Sequence, residues 1–163
     1  YIRLQGVYSD NDYCAAWKKL WGYVHEKGLF SEQMTRLCND TPKSHILRRM
    51  CNETGINHIC IYHDDPRITE GDKQRADVCL SISAKVEPQG EIGVKEIEGG
   101  KYAAFLYKGP YENLGNVYDS IYGKYIFEFK YQLASRPGFE VYLNDPECTK
   151  PEDLMTEIYV AIE

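Results

Sequence analysis

Six cysteines occur in the 163 residues, yet no two of them share the C-x-x-C spacing. No Cys/His arrangement has the spacing of a zinc site either. Cys14, Cys38, Cys51, Cys60, Cys79 and Cys148 are therefore read as reduced thiols. A chain of this length builds a core without disulfide staples, and reduced thiols give a cytoplasmic location as the expectation. No apolar run approaches the roughly 18 residues of a helical membrane span. An excess of basic charge is also lacking, since 19 Lys and Arg face 25 Asp and Glu for a net charge of −6. A nucleic-acid-binding face is basic, so this chain on its own is a poor partner for DNA. There is no Ser-His-Asp set, no phosphate loop and no metal motif. The expectation is accordingly no cofactor and no bound metal.

What is abundant is tyrosine, 14 residues of it. The charge is also unevenly divided: residues 1–86 carry 12 basic and 11 acidic side chains, residues 87–163 carry 7 and 14. Ring faces and carboxylates both attract positive charge, which points to organic cations; the plain alternative is surface solubility.

The most informative pattern is a duplication. Ile61-Tyr-His-Asp-Asp-Pro66 matches Val141-Tyr-Leu-Asn-Asp-Pro146, and Asp77–Ile82 matches Glu157–Ile162, both at an offset of 80. Ile2–Tyr8 matches Phe105–Tyr111 at an offset of 103, each ending in Gly-x-Tyr. Each half then reads as a strand, an amphipathic helix, a short strand closed by Asp-Pro, and a last strand. In the first half Trp17, Leu20, Trp21 and Val24 form the apolar stripe. Asp10, Asn11 or Asp12 starts that helix and Gly28 ends it. In the second half the stripe is Leu114, Val117, Tyr118, Ile121, Tyr122 and Tyr125. Short strands are expected at 57–62 and 138–143, and last strands at 77–86 and 155–162. Residues 91–97 and 102–107, around Glu98-Gly-Gly-Lys101, read as a hairpin. Its first arm has no counterpart ahead of Tyr1, so the chain is read as a fragment with more protein preceding it. Residues 31–56 are an irregular insertion, with Arg48-Arg49 a solvated spot. The fold class is α+β: tandem β-α-β-β modules (1–86 and 87–163) in pseudo-twofold symmetry, with an antiparallel sheet and helices.

These residues resemble a known family. Gly99-Gly-Lys-Tyr-Ala-Ala-Phe105, Lys108-Gly-Pro-Tyr111, Phe139-Glu-Val-Tyr-Leu-Asn-Asp-Pro146 and Thr156-Glu-Ile-Tyr-Val-Ala-Ile162 are similar to the GyrI-like family. Tyr1–Tyr8, Ala16–Trp21, His63–Pro66 and Arg75-Ala-Asp77 agree with it. The resemblance covers nearly the whole chain except about 31–56. Ala161 stands where the family often has Pro. The family includes effector-binding domains of AraC-type regulators, gyrase-inhibitory proteins and domains of MerR-type multidrug regulators. It implies a single effector-binding domain over 1–163 with a ligand cleft between the modules. It also implies that the helix-turn-helix region of the parent protein lies upstream.

Candidate site residues follow from strand alternation and from the resemblance. In 156–162, Thr156, Ile158, Val160 and Ile162 face one way, Glu157, Tyr159 and Ala161 the other. The apolar set packs on the helices, which leaves Glu157 and Tyr159 on the opposite face, taken as the cleft side. The resemblance implies that Glu157 is the ligand-contacting acid; a strand Glu paired with a Lys or Tyr is the structural alternative. Asp77, its repeat partner, shares the cleft or pairs with Arg75 or Arg3. Tyr8, Tyr111, Trp21, Tyr107 and Tyr142 are the candidate ring walls, with Trp17 and Leu20 assigned to the core.

The leading functional expectation is a ligand-sensing domain of an AraC-type transcription regulator that binds small cationic or aromatic molecules. The alternatives are a hydrolase of reactive small molecules with Glu157 as general base, assisted by Tyr107 or Tyr111, and a protein-binding, gyrase-inhibitor-like module. Expected partners are the small organic ligand, DNA only through a separate N-terminal region, no membrane, and a homodimer as the form self-association would take.

Overall fold

The computed structural model describes residues 1–29 and 56–163. The insertion read at 31–56 therefore lies, apart from Ile56, outside the described residues, as do Cys38, His45, Arg48-Arg49 and Cys51.

Six strands among the described residues form one antiparallel sheet: β1 (Ile2–Gln5), β2 (His58–Tyr62), β3 (Arg75–Leu80), β4 (Lys101–Lys108), β5 (Phe139–Tyr142) and β6 (Met155–Ile162). Their spatial order is β1-β3-β2-β5-β6-β4. This order is a palindrome of the two repeats, with β2 and β5 joined at the middle. The seam register pairs Cys60 with Glu140, and the sequence offset of 80 equates the same two residues. The pseudo-twofold axis therefore passes between Cys60 and Glu140.

Helix α1 (Tyr13–Glu26) covers the first half. Asp12 caps it by accepting the Ala15 amide at 2.9 Å, and Gly28 ends it at φ +60°, a conformation only glycine adopts cheaply. Its inner face, Ala16 and Leu20, packs with Ile2, Cys60, Ala76 and Val78. The second half is covered by α2 (Leu114–Ser120), which continues through a π-helical turn (Ile121–Tyr125) into α3 (Ile126–Glu128). Ile121 and Ile126 pack there with Ile158 and Val160. Gly6 (φ +133°) and Gly109 (φ +150°) turn the chain out of β1 and β4 at equivalent points.

The strand limits expected at 57–62, 138–143 and 155–162 agree with the structure to within a residue. Two expectations do not. β3 ends at Leu80 rather than 86, where the Ser81 hydroxyl accepts the Asn57 amide at 2.7 Å. Residues 91–97 form no strand beside 102–107. Instead Ile92 bridges to Gln89, Gly93 exchanges backbone hydrogen bonds with Tyr1, and Lys95 reaches Asp77. Two local causes are visible. Any side chain at 93 would strike the Tyr1 ring 2.6 Å away, and a buried carboxylate at Asp77 draws the lysine to it. The segment thus wraps the β1 edge, held on the helix side by Tyr23 donating to Glu87 O at 2.7 Å and by a Lys19–Glu91 pair.

Candidate functional site

Strand polarity changes sign at the seam. In β6, between β5 and the edge strand β4, the apolar alternates Ile158 and Val160 face the helices. In the central strands the apolar alternates, Ile59, Ile61 and Val141, form a cluster with Cys79, Phe139 and Tyr159 on the face without helices. Their polar neighbours, His58, Cys60, Tyr62, Glu140 and Tyr142, therefore face the helix side. The two helix-packed cores are separate clusters, and the strip between them, over β2 and β5, is roofed by rings.

Glu140 lies at the centre of that strip and is 1% exposed. Its carboxylate accepts the Tyr118 hydroxyl at 2.8 Å and the Tyr142 hydroxyl at 2.6 Å. Tyr62 and Tyr142 hydroxyls meet at 3.3 Å; since Tyr142 donates to Glu140, Tyr62 is the donor between the two. No ion pair to Glu140 forms among the described residues. Burial, only partly offset by the two hydroxyls, raises its pKa above the ordinary carboxylate value.

The rings around it come in repeated pairs. Tyr8 packs edge-on to Tyr62 with centroids 4.9 Å apart, and Tyr111 packs edge-on to Tyr142 at 5.3 Å; the two pairs are related by the offsets of 103 and 80. Trp17 stands edge-on to His58 at 4.9 Å and to Tyr142 at 6.4 Å. The Trp21 indole donates to His58 Nε2 at 3.0 Å, which puts the imidazole proton on Nδ1. Burial pushes the His58 pKa down to about 4, so this ring is neutral at physiological pH. Tyr13 completes the wall, its phenol pushed up to about 12 by burial. Thr156 is fully buried, and its hydroxyl has no hydrogen-bond partner among the described residues; it pairs in register with both Tyr107 and Tyr142.

The seven residues anticipated from sequence do not form one set. Tyr8, Tyr111, Tyr142 and Trp21 are at the ring-roofed strip. Tyr107 is on the same face but packs into the α2 core, its hydroxyl donating to Pro110 O at 3.1 Å. Glu157 and Tyr159 lie on the face without helices, where the Tyr159 hydroxyl donates to Glu157 at 2.7 Å. The single cleft shared by all seven is thus corrected: a β-strand sends residues two apart to one face, and Glu157 pairs in register with Val141, on the opposite face from Glu140. Of the options for Asp77, the structure selects Arg3, at 2.7 and 2.8 Å, with His63 and Lys95 added. Arg75 pairs with Asp64 instead. Burial would raise the Asp77 pKa, but hydrogen bonds from Arg3, Lys95 and His63 hold it well below the carboxylate range. Leu20 is core as expected, whereas Trp17 is a wall of the strip.

Sequence reasoning missed Glu140, Tyr62, Tyr118, Tyr13 and His58. Their signal was the polarity of Phe139-Glu-Val-Tyr142, which sets Glu140 and Tyr142 on one face and the apolar residues on the other. Among the described residues no group of three His, Cys, Asp or Glu side chains is placed to hold a metal. No described helix is long and apolar enough to cross a membrane.

A palindromic antiparallel sheet with one helix set per repeat defines a duplicated α+β domain. The family described as GyrI-like small molecule binding domain matches residues 1–163, and the chain belongs to it. A DNA gyrase inhibitor of Citrobacter rodentium is 32% identical over 109 residues, covering 64% of this chain and 68% of that protein. A DNA gyrase inhibitor of Cronobacter sakazakii is 30% identical over 90 residues, covering 53% of this chain. The match spans 57% of the Cronobacter protein's length. Among solved structures, the EcmrR C-terminal domain superposes with a TM-score of 0.58 at 21% identity over 67% of each chain. A conserved protein from Listeria innocua superposes with a TM-score of 0.63 at 11% identity, covering 99% of this chain and 85% of that one. These two likenesses are of fold.

Proposed function

We propose that this domain senses small organic cations with aromatic character, and that they dock at the ring-roofed strip over Glu140. The observation that carries this reading is a buried carboxylate beside the pseudo-twofold axis whose hydrogen-bond partners among the described residues are phenol hydroxyls. Leaving a carboxylate so placed is costly, and a ligand cation relieves the cost. Tyr142, Tyr111, Tyr8, Trp17 and Trp21 supply ring faces and edges for the aromatic part. Anions are rejected by the same charge. The regulator setting, of AraC type, rests on the motif resemblance. The likeness to EcmrR in complex with DNA, at a TM-score of 0.57 and 22% identity, is one of fold. Ligand binding then acts on the regulator through its differential affinity for the protein's states.

The test is a titration of an aromatic cationic dye, read by quenching of Trp17 and Trp21, into wild type and Glu140→Gln. Loss of a charge-assisted contact weakens binding by about tenfold or more; equal affinity in the two proteins removes Glu140 from the site. Mass analysis of the recovered dye separates binding from turnover.

A second reading, a protein-binding inhibitor, is favoured by one feature. Phe127 and Phe129 are 73% and 55% exposed, and Phe129 meets the Tyr125 and Tyr131 rings at centroid distances of 6.3 and 5.8 Å, an exposed aromatic group. Its test is inhibition of gyrase supercoiling by wild type and by Phe127→Ser.

A further inference from the structure

Between β3 and β4 the chain forms neither helix nor strand, yet Ile82, Val86, Ile92, Val94 and Ile97 all fall there. A segment so rich in aliphatic side chains is expected to lie flat on a core. This one is held at two anchorages instead. Tyr23 donates to Glu87 O at 2.7 Å and Lys19 pairs with Glu91, which tie it to α1. Lys95 at Asp77 ties it to β3. Beneath it lies a cavity of about 430 Å³. Ile82, Val86 and Ile92 line it from the segment, and Val24, Ile59 and Cys79 line it from α1, β2 and β3. Protein interiors are close-packed, and this volume falls within the roughly 300–1,000 Å³ of small-molecule sites. None of the rings over Glu140 lines it.

The polar groups of this lining are answered from within. The Tyr23 hydroxyl is engaged by Glu87 O, and the Lys95 ammonium by Asp77. The Ser81 hydroxyl accepts the Asn57 amide at 2.7 Å. The Cys79 thiol donates to Asp77 O at 3.4 Å, and burial pushes its pKa up to about 11, so it carries no charge at neutral pH. Glu96, the other charged residue of the described lining, is exposed to water. Among the described residues the cavity therefore offers apolar contact and no buried charge awaiting a partner. The strip over Glu140 offers the reverse.

We propose that the cavity under residues 81–97 is a second ligand site, which takes an uncharged, mainly hydrocarbon small molecule. Burial of hydrocarbon surface against Val24, Ile59, Ile82, Val86 and Ile92 supplies the affinity. A charged group entering the same space loses its hydration and meets no free counter-charge, which excludes it. The segment is tied at both ends, so a molecule in the cavity fixes its middle from beneath. This site is separate from the strip over Glu140 and is independent of the cation reading.

The experiment uses the whole chain and two fluorescent probes of one ring skeleton: N-phenyl-1-naphthylamine, which is uncharged, and its 8-sulfonate, an anion. The uncharged probe binds saturably and shifts the methyl resonances of Ile59, Ile82, Val86 and Ile92. The sulfonate binds at least about tenfold more weakly. Val86→Trp fills the cavity and weakens the uncharged probe by at least about tenfold. Glu140→Gln leaves that probe's affinity unchanged, which keeps the two sites apart. Val86→Phe, a smaller filling, replaces Val86→Trp if the latter does not fold, and the wild-type methyl map needs no variant. Four results overturn the proposal: wild-type methyls that do not move, a sulfonate bound as tightly as the uncharged probe, a folded cavity-filling variant that binds like wild type, or loss of the uncharged probe in Glu140→Gln.

Discussion

Asp77 and Glu140 are both buried carboxylates on adjacent parts of one sheet, and they are served in opposite ways. Asp77, on the face without helices, receives three basic groups. Glu140, on the helix face, receives two phenol hydroxyls. The first arrangement is complete: charge, hydrogen bonds and burial balance inside the fold. The second has no counter-charge among the described residues. A buried acid satisfied from within ties segments together, here β1, β3 and the segment carrying Lys95. A buried acid left without its counter-charge is a place where the fold gives up stability for binding.

The contrast is broken most severely at Asp77. Asp77→Asn leaves Arg3, His63 and Lys95 facing no charge and costs about 3 kcal/mol, measured by urea unfolding at pH 7. Because the folded carboxyl is held low, its contribution is full above the ordinary value of 3.8 and is lost as pH falls below it. The variant therefore lacks that acid limb. Next is Tyr142→Phe, which removes the 2.6 Å donor to Glu140 and costs about 2 kcal/mol, the worth of a hydrogen bond to a charged group.

Glu140→Gln acts in the other direction. A raised folded pKa means that the native state holds its proton more tightly than the unfolded chain, so stability falls as pH rises from the ordinary 4.5 through the raised value. The glutamine variant escapes this loss. It matches wild type in melting temperature at pH 4 and exceeds it at pH 7. The smallest effect is at the exposed rings: Phe127→Ser changes stability by less than about 0.5 kcal/mol. Calorimetry checks this, and any larger change shows that Phe127 packs in the fold.

Much of the fold was legible because the repeat is written in short, strongly patterned strands. Val141-Tyr-Leu-Asn-Asp-Pro146 and Glu157–Ile162 each align with their partners without a gap, and the sheet order follows from that pairing. The site was legible only in part. Alternation in β6 correctly puts Glu157 opposite the helices, since Ile158 and Val160 are the helix-packing set. The same rule fails for β2 and β5. These strands lie between the two helix-packed cores, and there the polar alternates turn inward under a roof of rings. Glu140 thus resembles a solvent-facing glutamate in sequence while being 1% exposed in the fold. The wrap of residues 91–97 was also hidden, because it depends on Lys95 finding Asp77 across 18 residues of chain, and no local pattern encodes that contact.

Proton release on ligand binding tests the central claim most directly. A cation seated at Glu140 favours its charged form, so the carboxyl gives up its proton as the ligand enters. Calorimetric titration of an aromatic cation in two buffers of different ionisation heat, at a pH just above 4.5, should show proton release by wild type and none by Glu140→Gln. Binding without proton release in wild type, or equal release in both proteins, contradicts it.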